Sequence, residues 1–336
     1  MTGFKSAAAF EAALRILPGP DEAARAAALA RQSVLTKPAG SLGRLEEIAV
    51  FLAGWQARER PRLDRSRVAV FAGNHGVAAR GVSAFPPAVT AQMVRNFREG
   101  GAAINALAGA AGLELMVVPL ELGRPTADFT IGPAMSEDEC LVAVNAGAAV
   151  VEPGLDLLVL GEMGIGNSTS AAALCAASFS GSATDWVGPG TGVHGIQLSA
   201  KLAVVEAGLA LHAGADAPLE RLRRLGGHEI AALAGAVVAA RMARVPVLLD
   251  GFICCSAVAP LAVTVPGVVE HCLAGHVSAE PAHQRLLDQL GLEPLLALGM
   301  RLGEASGAAV AAGIVRAAVA AHDQMATFAE AGVSDG

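Results

Sequence analysis

Residues 155–173, LDLLVLGEMGIGNSTSAAA, decide the fold. Leu155–Leu160 is a mostly apolar run, too short for a helix and the right length for a buried strand. It stops at Gly161, and after Gly164 and Gly166 come Asn167, Ser168 and Thr169, polar residues of the kind that open helices, followed by alanines. Strand, glycine turn and helix form the repeating unit of a parallel α/β sheet.

The same grammar recurs on both sides of that stretch. Val68–Phe71 precedes AGNHGV, Leu115–Val118 precedes PLELG, Val245–Leu249 precedes DGF and Val268–Leu273 precedes AGHVSAE. Alanine-rich helical stretches lie between or around them at Val89–Ala108, Ser168–Ala177, Gln197–Ala213 and Ile230–Met242. Alternating buried strands and crossover helices predict a parallel sheet with helices on both faces, a three-layer α/β architecture. The chain ends read differently. Ala7–Ile16, Asp21–Gln32 (with Asp21 as N-cap) and Ser41–Gln56 have helical spacing, the last placing Leu42, Leu45, Ile48, Ala49 and Leu52 on one face. The tail beyond Gly303 is helical again. The expected organisation is a small helical domain from residues 1–60 plus 305–336 and a large α/β catalytic domain over 61–304.

Composition bounds the function. The chain of 336 residues is 53% apolar, carries a net charge of −7 and has no tyrosine. Heavy use of alanine and glycine points to close helix packing. An acidic chain without a basic run is a poor partner for nucleic acid. Five cysteines without a CxxC pair suit buried free thiols in a reducing compartment rather than a disulfide frame or zinc ribbon. The uncharged stretches near 163–184 and 251–269 contain Ser, Thr, Asn, Gly or Pro, which fits protein interior and not lipid. The N-terminus lacks an apolar run before a cleavage site, so a cytoplasmic setting is expected.

The unusual polar residues cluster just after predicted strands: Asn74-His75-Gly76, Glu162 to Thr169, Asp250, and His276 to Glu280. Ligands of open α/β sheets bind beyond that edge. The 161–169 segment offers a glycine-lined helix start suited to phosphate, or equally a capped turn. No lysine follows its glycines as in a Walker loop. WVGPGTGVHG at 186–195 is a second glycine loop, readable as a ligand cradle or as a surface turn, and Lys201 follows it. Glu304 stands between apolar LLALGMRL and a helical tail of small residues. Such surroundings raise a carboxyl pKa and suit a general base, although a helix-start acid meeting the dipole is the plainer reading. Glu162 is the second acid of this kind, and two such carboxylates suit sugar chemistry with a cationic transition state. Asp250 and His228 read as structural or capping residues. The eight histidines show no metal-ligand spacing, so neither a metal nor a cofactor is expected.

Taken in order, KPAGSLGRLEEIA (37–49), VAVFAGNHGVAARGVSAFPPAVTAQM (68–93), LGEMGIGNSTSAAAL (160–174), VGPGTGVHG (187–195), PVLLDGF (246–252), HVSAEPAH (276–283) and LGMRLGEASGAA (298–309) span nearly the whole chain. In these the chain resembles the nicotinate-nucleotide–dimethylbenzimidazole phosphoribosyltransferases. The resemblance implies a Rossmann-like parallel sheet with a small helical domain from both termini, a homodimer, and no required metal. It implies transfer of phosphoribose from nicotinate mononucleotide to 5,6-dimethylbenzimidazole. It makes Glu304, the acid of RLGE, the general base and Glu162 a second active-site acid. It assigns Gly164, Gly166, Asn167 and Ser168 to the phosphate and ribose loop, and Gly190, Lys201 and Ser278 to further nucleotide contacts. Ser83–Met93 becomes a wall of the base pocket, with Phe85, Met93 and Leu302 as apolar lining. Some members carry Asp where this chain has Asn74, and polar Ser and Gln where it offers Phe85 and Met93. Two other readings share the fold. A conventional magnesium-dependent phosphoribosyltransferase would need paired acids before a Thr-Thr-Gly loop, but Asp250 is followed by Gly-Phe. A non-catalytic nucleotide carrier would need no paired acids, and fold alone does not exclude it.

Overall fold

The computed structural model describes residues 3–179, 181–190 and 192–334. Strands β1 (Ser66–Ala72), β2 (Glu114–Pro119), β3 (Leu157–Met163), β4 (Val247–Leu249), β5 (Cys272–His276) and β6 (Pro294–Leu296) form one sheet in the order β2-β1-β3-β4-β5-β6. Every neighbouring pair is parallel.

Side-chain alternation divides the interior in two. Ala69, Phe71, Leu158 and Leu160 point into one core, with the helices Glu137–Ala149, Asn167–Ser178 and His228–Met242. Val68, Val70, Leu157 and Val159 point into the other, with Ala103–Ala110 and Ser306–Gln324. Strands covered on both faces are largely apolar, and that is why Val68–Ala72 of β1 reads as a continuous hydrophobic run, while Ser66 and Arg67 at its start are buried with polar partners. Small residues set the helix spacing. A Cβ added to Gly147 would lie 1.7 Å from the Ala232 carbonyl oxygen, and one on Gly235 would lie 2.0 Å from that of Val144.

The chain ends meet. Arg31 Nε donates to the His322 carbonyl (2.8 Å) and Nη2 to that of Asp323 (2.9 Å), while Gln32 Nε2 lies 2.8 Å from His322 Nδ1. Ser306–Gln324 also covers the sheet, and Phe10 and Leu14 of the first helix enter the first core.

Several boundaries depart from the sequence expectation. Val89–Ala108 is two helices, Ala88–Glu99 and Ala103–Ala110, because Gly100 adopts φ +80° and closes the first. The fifth strand is Cys272–His276 rather than Val268–Leu273: Gly267 (φ +75°) turns the chain, and Val268 and Val269 serve the core from that turn. The edge strand β6 was not expected.

From β1 the chain crosses to β2 on one side and then returns to β3 on the other. This reversal opens a crevice between the C-terminal ends of β1 and β3, where α/β sheets place ligands.

Candidate active site

A cleft of about 850 Å³, its solvent-filled mouth included, lies over the C-terminal edge of the sheet. One wall is the β3 end and the loop into the helix Asn167–Ser178. Gly166 takes φ +96° there, and a Cβ on it would come within 3.2 Å of the His75 Cβ. No side chain caps this helix start, and although the Asn167 and Thr169 N–H groups donate to the Gly164 and Gly166 carbonyls, the positive end of its dipole faces the cleft for an anion.

The second glycine loop forms the facing wall. Gly190 has φ +56°, and a Cβ there would sit 2.7 Å from Ser168 Oγ. Lys201 is fully buried and joins the two loops, its Nζ donating to Ser168 Oγ (2.9 Å) and to the Gly188 carbonyl (2.8 Å). Burial lowers its pKa to about 8, and the nearby Glu280 opposes that shift. Glu280 in turn accepts the Gly190 N–H at 3.1 Å. The ammonium therefore bears on the cleft from behind, through Ser168 and Gly190.

Two acids stand on adjacent segments at the centre. Glu162, near the end of β3, is 6% exposed and accepts from Asn167 Nδ2 at 2.5 Å. Burial, reinforced by Glu229, Asp250 and Glu304, pushes its pKa up to about 8. Glu304 is 5% exposed, and burial lifts it to about 7. The Glu304 N–H donates to the Glu162 carbonyl at 3.1 Å, so the two segments run side by side. Gly303, Glu304 and Ala305 all take positive φ (84°, 62° and 66°), a left-handed path that side chains disfavour.

Two buried pairs support this centre. His75 Nε2 lies 2.6 Å from Glu229 Oε1, and His75 Nδ1 lies 2.9 Å from Ser170 Oγ, beneath the glycine loop. Asp250, after β4, accepts the Ala308 N–H at 2.9 Å and approaches His276 Nε2 at 3.5 Å. Burial raises Asp250 to about 7 against the backbone amides that favour its charged form. Asp250 thus caps a helix, but the one that follows Glu304 rather than one of its own segment. Among the described residues, no group of three or more His, Cys, Asp or Glu is placed to hold a metal ion.

Of the residues singled out from sequence, Glu162, Gly164, Gly166, Asn167, Ser168, Gly190, Ser278 and Leu302 line the cleft. Glu304 stands immediately behind Gly303 of the lining, and Lys201 lies under the loops. Phe85 is 49% exposed ahead of the helix Ala88–Glu99, and Met93 packs against the second core. In the cleft as it stands, Val82 and Ser83 furnish that wall. Sequence reasoning passed over Arg301, a cation in the lining, because an isolated arginine reads as a solvated side chain. It also passed over Glu229, an acid at the start of an otherwise apolar helix. That burial mismatch was a signal, but its partner His75 is 154 residues away.

Comparisons with known proteins show the family and the fold. A family model described as phosphoribosyltransferase (DBI_PRT) matches residues 17–333. A nicotinate-nucleotide–dimethylbenzimidazole phosphoribosyltransferase of Novosphingobium aromaticivorans is 66% identical, with 100% of each chain covered. One of the same name from Cereibacter sphaeroides is 58% identical, with 99% of each covered. The crystal structure of CobT from Thermus thermophilus superposes with a TM-score of 0.87 at 42% identity, covering 94% of this chain and 100% of that one. At these identities over essentially the whole length, the chain belongs to the nicotinate-nucleotide–dimethylbenzimidazole phosphoribosyltransferase family.

Proposed function

We propose that this protein transfers the 5-phosphoribosyl group of nicotinate mononucleotide to 5,6-dimethylbenzimidazole, giving α-ribazole 5′-phosphate and nicotinate, with Glu304 as general base. The observation that carries the reading is the pair of buried acids, Glu162 and Glu304, on adjacent backbone segments at a cleft whose β3 wall continues into a helix start without a side-chain cap. The relatives' names supply the substrates.

The chemistry balances on these groups. One benzimidazole nitrogen gives its lone pair to C1′ from the face opposite nicotinate, so β becomes α. The C1′–N bond to the pyridinium breaks, and its electron pair leaves nicotinate neutral at nitrogen. The proton on the other benzimidazole nitrogen passes to Glu304. A carboxyl raised to about 7 is a stronger base than an ordinary glutamate and is still substantially ionised near neutrality. Glu162 supports the cationic sugar or orients the incoming base. Gly164, Gly166, Asn167 and Ser168 hold the phosphate and ribose, Gly190, Lys201 and Ser278 assist, and Leu302, Phe85 and Met93 serve the base. Catalysis is then mainly positioning and proton removal.

The same reading keeps residues 1–60 and 305–336 as a small helical domain beside 61–304, in a cytoplasmic homodimer that needs no cofactor or metal. The Arg31–His322 clasp between the chain ends supports the first point. Among the described residues no helix is long and apolar enough to cross a membrane.

The test is a product assay. Purified protein is incubated without added metal with both substrates, and the products are resolved by chromatography. Equal amounts of nicotinate and α-linked ribotide are expected. Nucleotide binding without turnover would overturn the reading in favour of a carrier.

A further inference from the structure

We infer that Asp250 is a positioning residue for Glu304: its carboxylate, at the end of β4, holds the start of the helix Ser306–Gln324 and thereby fixes the left-handed turn that aims the Glu304 carboxyl. The inference rests on the reading of Glu304 as the base.

The turn needs holding. Glu304 (φ 62°) and Ala305 (φ 66°) are consecutive non-glycine residues in a conformation L side chains rarely adopt. Such a path persists only where its surroundings over-determine it. The helix it leads into supplies little of that support: its N-cap is Ala305, with no side-chain cap bond, and no acid stands in its first turn. Its free amides are met instead from another strand. Asp250 is 1% exposed and accepts the Ala308 N–H at 2.9 Å, and the N–H groups of Gly307 and Ala305 also favour its anion. A carboxylate at a helix N-terminus meets both unpaired donors and the positive end of the dipole.

The other sides of the turn are closed by backbone. Glu162 accepts the Glu304 N–H through its main-chain oxygen. A Cβ on Gly161 would lie 2.3 Å from the Ala305 nitrogen, and one on Gly275 would lie 2.7 Å from the Ala308 Cα. The His276 ring lies flush against Gly307, where a Cβ would come within 2.2 Å. Strands β3 and β5 thus exclude alternative placements sideways, while Asp250 draws the amides inward. Without that carboxylate the pair 304–305 is free to relax toward right-handed backbone, which would redirect the Glu304 side chain. An ordinary cap would affect only helix stability. This one ends a turn whose first side-chain-bearing residue is the proposed base.

Asp250→Ala and Asp250→Asn, made in the full-length protein with and without Glu304→Gln, test this. The readouts are kcat, KM for each substrate, and thermal unfolding. Asp250→Ala is expected to lower kcat by ~10–100-fold, the scale of a misplaced catalytic group, with KM for nicotinate mononucleotide within about threefold. Asp250→Asn keeps an acceptor oxygen and should recover most of the rate. In the Glu304→Gln background, Asp250→Ala should add little, because both changes remove one function. An unchanged kcat in Asp250→Ala, or a loss of equal size in both backgrounds, would overturn the positioning role while leaving Glu304 as base. A near-normal rate in Glu304→Gln alone would instead overturn the base, and the positioning role with it. If Asp250→Ala does not fold, amide exchange at residues 305–308 in Asp250→Asn decides. Rate and protection holding or falling together supports the role, and their divergence overturns it.

Discussion

Two helices start at the rim of the cleft, and they treat their free amides in opposite ways. The helix Asn167–Ser178 begins behind Gly166 with no side-chain cap, and Gly164 to Ser168 line the cleft. The helix Ser306–Gln324 also lacks a cap of its own, but the buried Asp250 carboxylate occupies its start. The same dipole faces a ligand in one case, beside amides partly paired to the loop carbonyls, and is closed by a buried carboxyl in the other. An open helix start can receive a ligand, whereas a filled one holds its own chain in place. Here the filled one holds the turn that bears Glu304.

The open start rests on a buried pair, and breaking that pair should have the largest effect on stability. His75 and Glu229 are both fully buried and 2.6 Å apart. His75→Ala leaves the Glu229 carboxyl without that partner and should destabilise the protein by about 3–5 kcal/mol, measured by urea unfolding. A loss within about 1 kcal/mol would mean that the loop does not depend on the pair.

Lys201→Ala sharpens the ligand side of the contrast. It removes the ammonium behind Ser168 and Gly190. KM for nicotinate mononucleotide should rise ~10-fold or more, while KM for the free base stays within about threefold, since a charge-assisted contact is worth on the order of 1.5–3 kcal/mol. Equal losses for both substrates would argue against a phosphate role.

The smallest expected effect is a pH dependence of stability. Glu162 titrates at about 8 in the folded protein against an ordinary value of 4.5. The folded state holds that proton more tightly, so its stabilising contribution is complete below pH 4.5 and is lost as pH rises through about 8. Lys201, lowered to about 8, acts in the opposite sense at higher pH, so the comparison must be with Glu162→Gln. Between about pH 6.5 and 8.5 the unliganded wild-type protein should lose several degrees of thermal midpoint relative to that variant. Parallel curves would show that Glu162 is not buried as the neutral acid.

What the sequence revealed follows from the range of the forces involved. Strands β1 and β3 were legible because burial on both faces favours apolar runs, but only β1 is followed directly by glycine: β3 begins at Leu157 and continues through Gly161 to Met163, beyond the expected Leu155–Leu160. The rim was legible because Asn167, Ser168 and Asp250 fall just beyond strand ends and His276 closes β5. The strand β6 was not, since Pro294–Leu296 is three residues at an edge, too short for any periodicity. The role of Asp250 was readable only as far as a cap. Its partner amide at Ala308 lies 58 residues away, and which helix it serves is settled by the packing of β4 beside β3 and β5. Glu229 needed the same long-range contact to be recognised. The left-handed path of Glu304 and Ala305 had no local signal, because neither is a residue that favours it.

The most direct test of the account is the turnover of Glu304→Gln beside the wild-type protein across about pH 5.5–9, with nucleotide affinity measured on the same preparations. The wild-type rate should climb through about pH 7 as Glu304 ionises and then level off. The variant should bind nicotinate mononucleotide normally, turn over at least ~100-fold more slowly, and lose that acidic limb. A variant within a few-fold of the wild-type rate, with the limb intact, would contradict Glu304 as the base.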